Sequence, residues 1–520
     1  MLKQKLKHLI QNNYLSFTID KWSSSRKDSY YGISVHFINK KWRYINLVLC
    51  CKYSESTSST ALDTLNEFQQ CVMEYEINVK NIVAVVSDTE NTMRSFGKKI
   101  IEQGINWFAC SAHLLELLSS CACKSDNLFD PTNNKHNNVK NVIKKSKKLI
   151  GHFKHSNINT KLLRQVQKHD NVVDLIEDVP TRWWSTCQMI KRLIELKLSI
   201  SYLCDNNDVD KDYNLNAEEW ILLENISDIL DPIRYAQKFL EGENYVTISC
   251  VFPIVILLRK QLNELFTTYS SSGNKDICES ISHMLIKLEK DWGNLEEVID
   301  IEVDTKNRIM GIQNLHGICT ILDPRLKNMQ FLDEELKQHF YRILFQHLLQ
   351  EFPNTNINHN DNNENNSNTT SSNDNNYNKR TKTTKNNEYS ISNFLANAVN
   401  NNICADVHIT NQDVLQNEFN DYLNSNFVEW DINPLDWWAL HQYKYYHLSA
   451  LARKFLAITA TSAPVERIFS TAGLVISNKR SRLDTDLAEL IILLKKSNKI
   501  VNELYGNHIR YNINTNNTNV

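Results

Sequence analysis

Hydrophobic positions along the chain fall into two regimes. From Leu15 to Trp22, Leu15, Phe17 and Ile19 alternate onto one face while Thr18, Asp20 and Trp22 share the other, the period of a half-buried strand. Tyr31 to Ile38 and Tyr44 to Cys50 read as two more strands across short polar turns, and Leu62, Leu65, Phe68 and Val72 then recur at helical spacing. Ile82 to Val86 is continuously apolar, as a strand buried on both faces would be, and the run ends at Asp88. A helix over about Thr92–Glu102 and a short strand near Phe108 follow. This order predicts an α/β layer with a mixed sheet.

After about residue 115 the pattern turns almost wholly helical, through Val139–Phe153, Trp183–Leu203, Glu218–Glu241, Ile254–Phe266 and Ile277–Trp292. The tract Asn354 to Asn387 is rich in Asn, Ser and Thr with few apolar residues, so it is expected to be a disordered loop. Helical pattern resumes near Asp413 and runs to about Leu504, before an Asn-rich tail expected to fray. The predicted class is α/β plus all-α. Its expected parts are residues 1–125, the first part of a sheet-bearing core; 126–412, a mostly helical insertion; 413–504, a C-terminal return to the core; and 505–520, a tail.

Composition agrees with this reading. The 520 residues hold 11 Gly and 8 Pro, too little turn chemistry for an all-β fold. Hydrophobic content of 42% and charge of 23% suit a globular chain of two or three domains. The 12 Cys follow no disulfide framework, and neither a signal peptide nor a long apolar span is seen. Reduced thiols in a nuclear or cytosolic protein without a membrane partner are expected.

The net charge of −2 hides an uneven distribution. No acidic residue lies between Asp130 and Asp170, while Lys144, Lys145, Lys147 and Lys148 crowd one stretch of that window. A field of that sign suits a polyanion such as DNA; a solvated basic helix is the plainer alternative.

Asp20 sits on the polar face of a strand and Asp88 ends another, the placement that delivers hard oxygen donors to a divalent cation. A strand-terminal Asp is also a common turn-former. Glu466 follows Ser462 and Pro464, an N-cap and a first-turn proline, so it falls at a helix start, where the helix dipole alone favours an acid.

Taken in order, Ile19-Asp20-Lys21-Trp22-Ser23, Ser87-Asp88, Cys110-Ser111-Ala112-His113-Leu114, Asp178-Val179-Pro180-Thr181-Arg182-Trp183, Leu322-Asp323-Pro324-Arg325 and Ser462 to Ser470 strongly resemble the hAT superfamily of DNA transposases. The stretch from Pro434 to about Lys496, with Trp437-Trp438 and Leu448 to Ala452, is similar to that family's C-terminal dimerisation region. The resemblance implies an RNase H-like sheet interrupted by a large helical insertion and a DDE triad of Asp20, Asp88 and Glu466. It implies two Mg²⁺ or Mn²⁺ ions on those acids, one activating water or a 3′-hydroxyl and the other steadying the leaving oxygen. Trp22 and Trp183 match tryptophans thought to handle extruded bases, and Arg182 would meet phosphate or an acid. Cys110 and His113 match the family's C-x-x-H; with no paired C-x-x-C nearby, packing beside the site is expected rather than zinc.

Two departures stand out. Glu90 and Thr92 occupy positions where the family has a small residue and an Asn, adding negative charge beside the second acid. No Cys/His cluster precedes Asp20, so the BED-type finger common in the family is not expected in this sequence. Apolar stripes through Leu448, Leu451 and Phe455, then Leu487, Leu490, Ile491 and Leu494, are expected to meet a second copy, with burial inside one chain as the alternative. The function expected is metal-dependent DNA cleavage and strand transfer by a dimer or larger assembly in the nucleus, with no small-molecule substrate. A domesticated or decayed relative that binds DNA and dimerises without catalysis is the alternative.

Overall fold

A computed structural model describes residues 2–23, 28–54, 60–123, 138–167, 171–179, 184–206, 213–293, 311–353, 410–475 and 485–505. The loop expected at Asn354–Asn387 and the tail from residue 506 onward lie outside the described residues.

Five strands form one sheet: β1 Leu15–Ser23, β2 Ser29–Ile38, β3 Tyr44–Tyr53, β4 Ile82–Ser87 and β5 Asn106–Ala109, in the order β3-β2-β1-β4-β5. The first three form an antiparallel meander, while β4 joins β1 in parallel and β5 joins β4 in parallel. The alternation in β1 decides its two sides. Phe17 and Ile19 enter a core with Phe68, Phe96 and Trp107, built under the helices Leu2–Ile10, Ala61–Glu74 and Asn91–Glu102. The helix Ala61–Glu74 opens with a capping box in which Thr60 and Asp63 satisfy each other's backbone N–H groups.

The opposite face is divided. Val48 and Cys51 pack with Val465, Ile468 and Ile492 from the helices Ala463–Val475 and Thr485–Tyr505. Beside them, Ala84, Val86 and Phe108 join a much larger core made by the helical part of the chain. Along this face Thr18 and Ser34 share a hydrogen bond (2.5 Å), and Ser34 meets His36 Nε2 at 2.8 Å. This buried polar row runs inward from Asp20, and burial holds His36 neutral with its pKa pushed down to about 3.

The helical region extends from Ser111–Cys123 to Glu334–Glu351, and the long helices Ala217–Leu240, Ile248–Ser271 and Lys275–Trp292 pack together within it. Two helices differ from the sequence pattern. The stretch expected as one helix from Trp183 to Leu203 is two, Ser185–Glu195 and Lys197–Asp205, broken at Leu196. The helix expected from Ile254 begins instead at Ile248 and continues through Pro253, which lies inside it and forfeits one i→i−4 bond. Leu435, Trp438, Leu448, Leu451 and Phe455 all belong to the large core of the helical region. This segment also meets the sheet before Ala463: Trp42 stacks on Trp438 and donates to Gln442, and the Tyr44 hydroxyl donates to Ala457 O.

A buried ion pair ties this region together. Asp323 is fully buried and accepts from Arg325 Nε (2.9 Å) and Nη2 (2.7 Å) and from Ser249 Oγ (2.8 Å). The Arg325 guanidinium in turn stacks over Trp430 at 4.4 Å. The Leu322–Arg325 motif is therefore a packing clamp within the helical region.

Candidate active site

Parallel pairing brings the two aspartates side by side. Thr18 is in register with Val86, so two more residues along each strand set Asp20 and Asp88 at matching positions on the carboxyl edge of the sheet. Asp20 accepts from the Lys21 backbone N–H (2.7 Å) and Asp88 from that of Glu90 (3.2 Å).

Glu466 arrives on the helix Ala463–Val475, which lies across β1, β2 and β3. Gly32 is the cross-strand partner of Asp20, and a Cβ there would come within 2.9 Å of Val465 Cγ1 and 3.0 Å of Phe469. The missing side chain is what lets the helix settle this closely on the sheet. On the same side, Trp22 stacks on Phe469 with ring centroids 6.0 Å apart. The segment before the helix is fixed by the C-x-x-H motif. Cys110 Sγ accepts from the Ser462 N–H (3.3 Å), the Ser111 N–H donates to Ala460 O (3.0 Å), and the Cys110 N–H donates to Ser87 O (2.7 Å). Cys110 thus stitches the end of β4 to the run that leads into Glu466, and Ser462 Oγ reaches Glu466 Oε1 at 3.4 Å.

These three carboxylates perturb one another. Burial, then the charges of Asp88 and Glu466, hold the Asp20 carboxyl well above the usual range. Burial and the neighbouring Glu90 raise Asp88 to about 6, against the pull of the Glu90 backbone N–H and Arg94. Burial raises Glu466 to about 8, with Glu241 the largest charge acting in the same direction and Asp88 adding to it. None of the three has an ion-pair partner among the described residues. Among those residues, too, no three His, Cys, Asp or Glu side chains already lie close enough to hold a metal ion. The acids therefore come from three separate elements into a buried setting that disfavours their ionised forms. That donor set fits a hard divalent cation, which would favour those forms and draw the oxygens together.

Other residues singled out from the sequence fall differently. Trp22 is engaged with Phe469 and Tyr30, and so helps seat the Glu466 helix. His113 is partly buried, and its pKa is lowered chiefly by that burial, with Glu90 and Arg94 within electrostatic reach. Arg182 and Trp183 lie outside the described residues. On the helix Asn138–His155, Lys145 is paired with Glu219 (2.7 Å) and Lys147 with Asp178. Lys144 and Lys148 are exposed and carry no ion pair among the described residues, so they are the available part of the basic stretch.

The expected dimer stripe needs correction. Leu448, Leu451 and Phe455 are 0–4% exposed inside the single chain, because they fill the insertion core, and cannot form an outer surface. Leu487 and Leu490 are exposed, while Ile491 and Leu494 are half-buried. Nearer the insertion, Leu440 (80% exposed) and Tyr443 (88%) stand out.

Sequence reasoning missed Gly32, Glu241 and the Arg467 contacts. Gly32 carried a faint signal, a glycine inside an otherwise β-branched and aromatic strand, which points to close backbone approach. Glu241 had no signal, since its nearness to Glu466 depends on how the insertion folds back.

A mixed sheet in this order, with acids on its two central parallel strands and a third on a returning helix, is the RNase H-like arrangement. Residues 418–497 match the hAT family C-terminal dimerisation region, and residues 108–229 match the ZBED1 RNase-like helical domain. Both matched regions, and the relatives that align with the chain, are those of hAT transposases and ZBED proteins. The chain is 21% identical to the human "Zinc finger BED domain-containing protein 4", over 93% of this chain and 37% of that one. It is 22% identical to "Putative transcriptional regulator tpeD" of Talaromyces stipitatus, over 96% of this chain and 55% of that one. With the "Transposable element Hobo transposase" of Drosophila melanogaster it shares 23% identity over 49% of this chain and 35% of the relative. The chain thus spans about a third to just over half the length of these relatives.

Proposed function

We propose that this chain is a transposase core that cleaves and joins DNA, with Asp20, Asp88 and Glu466 as its metal-binding acids. The observation that carries this reading is the convergence of three unpaired, desolvated carboxylates at the carboxyl edge of β1 and β4, under a helix seated by Gly32. Bound Mg²⁺ or Mn²⁺ would supply Lewis-acid activation of the attacking and leaving oxygens of a phosphodiester. The protein's own contribution is positional. Gly32 and Phe469 set the height of Glu466, Cys110 sets the approach of its helix, and the buried row behind Asp20 braces β1. Burial, and after it the charge of exposed Glu90, raise the Asp88 carboxyl, so a bound cation would compete with a proton there.

Metal and protons compete for these carboxyls. A folded pKa raised to about 8 means that Glu466 is mostly protonated at pH 7 without metal, so binding must expel that proton. Calorimetric titration of Mn²⁺ in buffers of different ionisation enthalpy should therefore show net proton release at pH 7. Affinity should rise as pH increases toward 8 and level off above it. Glu466→Gln should lose most of both effects. Mn²⁺ affinity that is flat between pH 6 and 8 would contradict the assignment.

DNA is the proposed substrate, a second copy of the chain the proposed partner, and the nucleus the site of action. Lys144 and Lys148 are positioned for phosphate contacts, and Leu440 and Tyr443 offer apolar surface within the matched dimerisation region. The two roles separate in a paired experiment. Lys144→Ala with Lys148→Ala should weaken duplex binding about tenfold or less at moderate salt and leave the sedimentation mass unchanged. Leu440→Glu with Tyr443→Glu should shift the mass toward the monomer. Unchanged values in either arm remove the corresponding surface.

A second reading has its own support: one relative is named as a transcriptional regulator, and Glu90 crowds Asp88 with extra negative charge. In that reading the chain binds DNA and self-associates without catalysis.

A further inference from the structure

The residue after Glu466 is held by the helical insertion. Arg467 Nη1 donates to Glu243 Oε1 (2.6 Å) and Nη2 to the Glu241 carbonyl (2.9 Å), both in the turn that ends the helix Ala217–Leu240. That turn is built to be stiff. The Glu241 N–H donates to Gln237 O (2.9 Å), and the Tyr245 hydroxyl donates back to Phe239 O (2.6 Å). The Tyr245 ring fills the space where Gly242 lacks a side chain, since a Cβ there would lie 2.1 Å from it. Fully buried Gln237 donates Nε2 to Glu241 Oε1 at 2.8 Å. Beyond the turn, Phe239 packs on Trp430 (6.1 Å), which carries Arg325 of the Asp323 clamp. A second tether lies close by, where the Ala460 N–H donates to buried Thr247 Oγ1 (3.0 Å).

We infer that the turn Glu241–Glu243 is a positioning clamp through which the helical insertion fixes the height and rotation of the Glu466 helix over the sheet, with Glu243 and Arg467 as its two jaws. This rests on reading Glu466 as the third acid. The pair itself is a weak source of stability, because its side chains are 30% and 41% exposed and solvent screens them. Its effect lies in geometry: an acid displaced by about 1 Å from its productive place costs roughly a hundredfold in rate. Sheet packing from below by Val465 and Phe469 fixes the floor of the helix, and the clamp fixes its outward edge. Insertion and sheet then act on Glu466 as one frame, so that a change in the insertion is felt at the acids.

The test compares the full chain with Glu243→Ala, Arg467→Ala and the double variant. Three quantities are read: Mn²⁺ affinity by calorimetry, nicking of supercoiled plasmid, and amide hydrogen exchange over Ile468–Ala472. Each single substitution should lower affinity and nicking about tenfold and speed the exchange. The double should be no worse than Arg467→Ala, as expected for two groups that act as one contact. Melting temperature should stay within about 3 °C of the wild type. Additive losses, or wild-type affinity and exchange in both singles, overturn the clamp. Exchange is read without catalysis. A chain that never nicks, yet loosens at Ile468–Ala472 in both singles and no further in the double, keeps the clamp and loses the nuclease reading.

Discussion

Replacing Gly32 by Val is expected to silence DNA cleavage while leaving most of the fold intact. Gly32 lies opposite Asp20 and directly beneath the Glu466 helix, where even a methyl group would sit 2.9 Å from Val465 and 3.0 Å from Phe469. Valine suits a strand, so β2 itself gains rather than loses. The helix must therefore rise, carrying Glu466 away from Asp20 and Asp88. Overpacking of this kind costs about 1–3 kcal/mol of stability. The displacement costs far more in activity, about a hundredfold or greater, because the acids no longer share one site. Cleavage rate, Mn²⁺ affinity and denaturant midpoint measured together check this. A Gly32→Val protein that cleaves at the wild-type rate would mean that the close approach is packing alone.

Breaking the Asp323 clamp should have the largest effect on stability. Asp323→Ala leaves the Arg325 guanidinium nearly buried, at 9% side-chain exposure, and strips it of its carboxylate. It also removes the acceptor of Ser249. Removing one partner of a buried ion pair costs roughly 3–5 kcal/mol, since the remaining charge keeps its desolvation cost. A loss of that size is a large share of the stability of a typical domain. Urea titration followed by tryptophan fluorescence reads it directly. Substituting Arg325→Met as well should recover part of the loss, because the orphaned charge disappears. A change below about 1 kcal/mol would show that water reaches Arg325 once the aspartate is gone.

Much of the sheet was legible because its periods are local. Leu15, Phe17 and Ile19 alternate, Ile82 to Val86 runs unbroken, and both patterns became strands within a residue or two. The aspartates were legible for the same reason, since each sits at the polar end of a strand whose pattern is explicit. The rest depended on contacts across hundreds of residues. Little local separates Leu448 and Phe455, which are buried in the insertion core, from Leu440, which is exposed: all three are apolar residues of short neighbouring helices, and only the final packing assigns their faces. The lysines make the same point. The run Lys144–Lys148 looks uniformly basic, yet Lys145 and Lys147 are neutralised by Glu219 and Asp178 from distant parts of the chain. Cys110 shows that a motif can be recognised while its task is not. The C-x-x-H spacing is visible in the sequence, whereas its thiol serves as an acceptor for the backbone ahead of Glu466.

The central claim is that Asp20, Asp88 and Glu466 act together on phosphodiesters, and plasmid nicking by the purified chain tests it most directly. Supercoiled DNA is incubated with Mn²⁺ beside the Glu466→Gln protein, whose fold and sedimentation mass are checked to match. The account predicts nicking by the wild type, none without metal, and none by the variant. Equal nicking by both proteins, or none by a folded wild type that binds Mn²⁺ and duplex DNA carrying matched transposon ends, would contradict it.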